Sequence, residues 1–208
     1  MSKASGFTLT LTSMAKHIDH ISHSEYLEIR RISSVCHFLT RKATVQLVCS
    51  FVLSRLDYCN SSLIDITSGQ MYRLQKNQNH ATKVVFRKSK HEHVIPLLKK
   101  LHWLPVKERI LFKLATFALR IFDGTLPPYL SSCLSVYTPS RTLRFSSDEK
   151  TLSSAKWKLK GFRHRSFSVQ APLVWNNLPP HIRHSCSLSQ FKTSLKTFLF
   201  NSAFSELP

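Results

Sequence analysis

The chain has 208 residues, 42% of them hydrophobic with 14 Phe and 3 Trp, so its composition argues against a disordered tail; only 4 Gly argue against Gly-rich phosphate loops and many-turned β architectures. Thirty Lys and Arg against 11 Asp and Glu leave a net charge of +19, an excess that opposes compaction and attracts polyanions, nucleic acid first among them. No apolar run approaches the ~18 residues a membrane helix needs, and MSKASGFTLTLTS lacks the form of a signal peptide.

Residues 1–12 alternate Phe7, Leu9 and Leu11 with threonines, which predicts a short strand remnant or leader. Ser13 then opens a helix to about Leu39, with Ile18, Ile21, Ile29, Ile32, Cys36 and Leu39 on its apolar face. Thr40 is the expected cap of a second helix over 41–66, which would bury Val45, Val48, Val52, Leu56 and Leu63. Ser68-Gly69 breaks it, and a third helix runs over about 70–87. Very short turns between the three predict antiparallel neighbours. The polar KSKHEH separates this bundle, residues 13–90, from a second part, 91–208. There Pro105 opens a helix that runs to Asp123 before Gly124. A poorly periodic stretch with one hairpin follows, and helices return at about 166–176 and 188–203. The fold class is therefore all-α.

LSRLDYCNSSL, residues 53–63, packs an aspartate, a cysteine and two serines between leucines. A catalytic Cys59 would need a histidine and an orienting acid nearby. On a helix, however, Arg55 and Asp57 diverge, and Cys49 and Cys59 sit at the edge of the apolar face. Buried structural thiols are the plainer reading. Five cysteines (36, 49, 59, 133, 186) without a C-x-x-C pair point to a reduced, intracellular protein, nuclear or cytoplasmic. His17, His20 and His23 drift round a helix at steps of three, and His181, His184 and Cys186 lack zinc-finger spacing, so no metal site is expected. The only adjacent acids, Asp148 and Glu149, fall in a polar loop, so a carboxylate pair for metal-assisted chemistry is missing. No catalytic residue, cofactor or small-molecule substrate is expected. Trp103 in LHWLP and Trp175 in VWNNLP read as packing anchors rather than platforms for bases.

The sharpest signal is RLQKNQNHATKVVFR. Arg73, Lys76, His80, Lys83 and Arg87 recur at steps of three and four, covering an arc of roughly 80° at about 100° per residue. The row spans roughly 21 Å at about 1.5 Å per residue, enough to follow several phosphates. Met71, Leu74, Gln78, Ala81 and Val85 fall opposite and suit a core, while residues 66–91 hold no Asp and, up to Glu92, no Glu. An ordinary solvated face is the alternative.

Several strings in order, FVLSRLDYCNSSL, RLQKNQNHATKVVFR, LLKKLHWLPVKERILFK, LPPYLSSCL, YTPSRTLR, RSFSVQAPLVWNNLPPHIR and SLSQFKTSLKTFLF, carry a family resemblance over about 6–203. The chain resembles the C-terminal end of the reverse transcriptase polyprotein of LINE-type, non-LTR retrotransposons of the jockey and chicken-repeat group. The resemblance implies that residues 13–87 correspond to the thumb-side helices, which close on primer–template duplex. It also implies that the palm aspartates and the endonuclease of the family have no counterpart here. Ser62, Asn77 and Arg163 depart from the family's pattern, as point decay or harmless lineage variation would make them. The function expected is non-enzymatic binding of RNA or RNA–DNA duplex by Arg73, Lys76, His80, Lys83 and Arg87. The alternatives are a structural relic without activity and a domesticated protein-interaction module.

Overall fold

The computed structural model describes residues 3–58, 60–138, 150–154 and 166–205, with side chains from residue 15 onward. The chain divides into two units: residues 1–60, 65–109 and 203–208 in the first, and 61–64 with 110–202 in the second. The structure is mostly helical, as the sequence predicts; among the described residues the only β pairing is one isolated bridge.

In the first unit, α1 (Lys3–Val35) begins well before Ser13. The expected strand over 1–12 is corrected: residues 3–12 are the first turns of this helix. A three-residue alternation is a weak signal, and a lone strand leaves backbone groups unpaired that a helix satisfies within itself. Ile18, Ile21, Ile29, Ile32 and Cys36 are buried, as their spacing predicts. Glu25 completes this row at the position the apolar pattern skips, and it too is fully buried.

A 3-10 turn, Cys36–Phe38, closes α1, and Thr40 caps α2 (Arg41–Val48) by accepting from the Ala43 amide at 3.2 Å. The second helix is not the continuous 41–66 segment expected. A π-helical turn, Cys49–Leu53, joins α2 to α3 (Ser54–Asp57), and Tyr58 leaves the helical region with ψ 121°. Asn60–Leu63 form a separate 3-10 turn. Leu63 therefore belongs to the second unit, while Val48, Val52, Leu53 and Leu56 stay in the core of the first.

Ser68 and Gly69 do not break a helix; they begin α4 (Ser68–Phe86). Thr67 and Gln70 form a reciprocal capping box, at 3.3 and 3.2 Å, that satisfies two free amides at its start. Arg87, in the left-handed region at φ 51°, ends it. Arg55 of α3 reaches Ser24 and Glu28 of α1, whereas Arg73, Asn77 and Arg87 meet Asp19, Glu25 and Cys36 in ascending order. The helices thus run up, down and up, and α4 lies parallel to α1.

The boundary at 90 also moves. The helix α5 (Ile95–Leu101), which periodicity does not reveal in so short a segment, and the LHWLP string pack within the first unit. Two side-chain amides of α4 hold the segment after α5. Gln78 donates to the Leu104 carbonyl at 2.8 Å, and Gln75 accepts from the Val106 amide at 2.9 Å. Trp103 is 9% exposed, as an anchor should be.

The second unit is built on α6 (Val106–Phe122) from residue 110 onward, ended by Gly124 at φ 65°. The short α7 (Pro128–Ser131) follows, then α8 (Phe167–Asn176), α9 (Pro180–Arg183) and, up to residue 202, α10 (Leu188–Ser205). Val136 and Leu152 form an antiparallel bridge where a hairpin was expected; residues 139–149 between them lie outside the described residues, as does Arg163. Trp175 is fully buried, its ring 5.2 Å from Phe122 and 5.7 Å from Phe191. Among the described residues no helix is long and apolar enough to cross a membrane.

Candidate nucleic-acid interface

Parallel packing of α1 and α4 leaves a groove of about 720 Å³ between them, within the first unit. Of the five residues the sequence singles out, Arg73, Lys76, His80 and Lys83 line it. Arg87 does not. It lines a smaller basic depression of about 250 Å³ with His37 and Lys88, to which His80 and Lys83 also contribute. The opposite face of α4 is core as predicted, with Leu74, Gln78, Ala81 and Val85 buried and Met71 half-buried.

The five differ in how free their charges are. Lys76 is exposed. Arg73 is paired with Asp19 of α1, both side chains being more than half exposed, so the pair contributes little to stability and is weakened by salt. Lys83 donates to the Lys90 carbonyl at 2.6 Å, tying the loop after α4 to the groove wall. Arg87 donates to the Cys36 and Leu39 carbonyls at 2.6 and 2.7 Å. It thereby braces the backbone of the turn that follows α1. His80 is half-buried, its ring 6.0 Å from that of Tyr26. Burial, followed by the neighbouring Lys83 and Lys76, pushes its pKa below the usual histidine value, so the imidazole is neutral at neutral pH.

Beneath the groove lies a polar cluster that charge counting along α4 misses. Asn77 donates to the Ser22 carbonyl and to Glu25 Oε2, both at 2.9 Å. Burial raises the Glu25 carboxyl to about 7, against the lowering effect of Asn77 and Arg55. Glu25 Oε1 and Ser22 Oγ are buried without a hydrogen-bond partner, as suits a carboxyl that is often protonated. The gap in the apolar row of α1 at position 25 was the available signal. Tyr26 and Tyr72, which the sequence reading passed over, also line the groove. Tyr72 falls about 20° beyond Lys83 on the same helical face, so the row's own periodicity could have found it.

The reactive-looking LSRLDYCNSSL string resolves into structural pairs. Asp57 accepts from both Nε and Nη2 of Arg109, the first at 2.9 Å. Arg55 turns the other way, to Glu28 at 3.3 Å. Burial raises the Cys49 thiol above its ordinary value, the opposite of an activated nucleophile; Cys59 lies outside the described residues. His17, His20 and His23 are exposed, as are His181, His184 and Cys186, and no group of three such ligands forms among the described residues. Asp148 and Glu149 lie outside them.

Comparison with protein-family models, curated proteins and solved structures finds no match.

Proposed function

We propose that the chain is a non-catalytic, retrotransposon-derived part of a LINE-type reverse transcriptase that binds RNA or RNA–DNA duplex through the basic face of α4. The observation that carries this reading is the groove itself. Arg73, Lys76 and Lys83 of one helix and Lys90 of the following loop line a single concave surface, against one exposed carboxylate, Asp19. Its mechanism is phosphate contact, which positions a strand without selecting its sequence. The ordered strings that resemble the family's thumb and C-terminal region point to the same ligand. The relic reading predicts no such binding, and the interaction-module reading predicts binding that salt leaves largely unchanged.

The test is a salt titration of binding to an RNA–DNA duplex. Wild-type affinity should fall steeply as salt is added, each neutralised phosphate contributing about 0.9 to the slope. Gln at positions 73, 76 and 83 together should lower that slope by about two to three and leave helix content unchanged. Arg87 is spared because its guanidinium braces the turn between α1 and α2. Wild-type affinity and slope in the triple variant would refute the reading. Primer extension with magnesium or manganese should show no incorporation.

A further inference from the structure

Charge alone gives no role to the aromatic side chains of the groove. Both tryptophans that could have stacked on bases and whose position is described are buried, Trp103 at 9% and Trp175 at 0% exposure. Tyr26 and Tyr72, by contrast, are 44% and 67% exposed and line the same concavity as the cations. They alternate with those cations along α4. Tyr72 comes first, Lys76 one turn on, then the Tyr26–His80 ring pair one turn further, then Lys83. The two aromatic stations are therefore about 12 Å apart along the helix axis.

We infer that the α1–α4 groove is a site for unpaired RNA, in which Tyr72 and the Tyr26–His80 pair stack on bases while Lys76 and Lys83 neutralise the intervening phosphates. This rests on the nucleic-acid reading above and narrows it from any polyanionic strand to one with free base faces. A duplex keeps its bases stacked on each other, so it offers phosphates to the cations and nothing to the rings. A single strand offers both, and alternation of ring and cation is how sequence-tolerant single-strand sites are built. His80 is well suited to its place: as a neutral imidazole it adds aromatic surface without a charge that must be desolvated. Asp19 does not oppose this arrangement strongly, because Arg73 already holds it at the end of the groove beside Tyr72.

The experiment measures binding of the full chain to three ligands by fluorescence anisotropy at low salt: a short oligouridylate, an abasic strand of equal length, and an RNA–DNA duplex. The oligouridylate should bind at least several-fold more tightly than the abasic strand. Tyr26→Leu with Tyr72→Leu should weaken oligouridylate binding by roughly ten- to a hundred-fold, bring it to the abasic level and leave duplex binding unchanged. Phe at both positions should retain the wild-type affinity. Circular dichroism of the Leu variant should match wild type, since both side chains are substantially exposed. Equal affinity for the abasic strand, or an unaffected Leu variant, overturns the stacking site while leaving the charge-based reading intact. Failure of wild type to bind any of the three overturns that reading, and this inference with it.

Discussion

In the first unit the acids do the arranging. Glu28 holds Arg31 at 3.0 Å and Arg55 at 3.3 Å, Asp57 holds Arg109, and Asp19 holds Arg73. Each acid ties one helix to another or braces its own, while Lys76, Lys83 and Lys90 line the α1–α4 groove without an acid partner among the described residues. In the second unit Asp123 is the one acid among the described residues, and rings and amides take over. Trp175 sits between Phe122 and Phe191 and donates its indole hydrogen to the Lys150 carbonyl at 2.7 Å. Asn176 grips both the amide and the carbonyl of Leu152, at 3.0 and 2.9 Å, as a neighbouring strand would. Even the buried Arg183 donates to carbonyls, those of Leu178 and Lys150. The two units thus use polar contacts differently: the first links helices through acid–arginine pairs, and the second through rings, side-chain amides and bonds to carbonyls.

The largest test of this contrast is Trp175→Ala. It should cost about 3–5 kcal/mol by cavity formation, whereas Trp175→Phe, which keeps a ring and loses the bond to Lys150, should cost nearer 1–2. Urea denaturation followed by circular dichroism reads both. A cost below about 1 kcal/mol for Ala would remove the aromatic core as the organising element of the second unit.

Glu25 sharpens the other side. A carboxyl raised from 4.5 to about 7 keeps its proton in the fold at pH values where the unfolded chain has lost it. The contribution of Glu25 to stability is therefore greatest below about pH 4.5, declines as pH rises toward about 7, and is level above that. Glu25→Gln should remove the decline, making the variant more stable at pH 8 by up to roughly 3 kcal/mol, with the difference vanishing near pH 4.5. Melting curves across pH would expose a wild type that does not lose stability in that window.

Asn77→Leu separates decay from design at one position. Restoring the apolar residue that the family resemblance expects should raise stability if Asn77 is damage. Its two hydrogen bonds, to Glu25 and to the Ser22 carbonyl, argue instead for a loss of about 1–3 kcal/mol. The smallest effect should come from Glu92→Gln, which removes the exposed Lys88–Glu92 pair. A change above about 0.5 kcal/mol in chemical denaturation would mean that surface charge matters more in this unit than such pairs ordinarily do.

Helix periodicity made much of this legible. The buried rows of α1 and α4, the Thr40 cap and the stop at Gly124 all follow from spacing and residue type. What escaped reading were features decided by distant partners. The span of α5 is too short to show a period, and the segment just after it is held to α4 by Gln75 and Gln78. The continuous helix expected over 41–66 ends at Asp57, where Arg109, far along the chain, captures the carboxylate. The basic row was visible in α4. That α1 would supply its acid, its buried carboxyl and one of its two rings was not, since nothing within residues 66–91 encodes it.

The π-helical turn at Cys49–Leu53 has a consequence for how this chain tolerates insertions and deletions. A wide turn holds one residue more than an α turn, so deleting one residue there could restore an unbroken helix at little cost to its backbone bonding. Five residues at the π pitch turn about as far as four at about 100° each, so the deletion would leave everything beyond it in nearly the same phase. Leu56 would stay turned to the core, and Arg55 and Asp57 would keep facing Glu28 and Arg109. A deletion in the regular turns of α2, by contrast, would rotate all three by about 100°, so the wide turn is the one place in this rod where losing a single codon is felt as a shortening rather than a rotation.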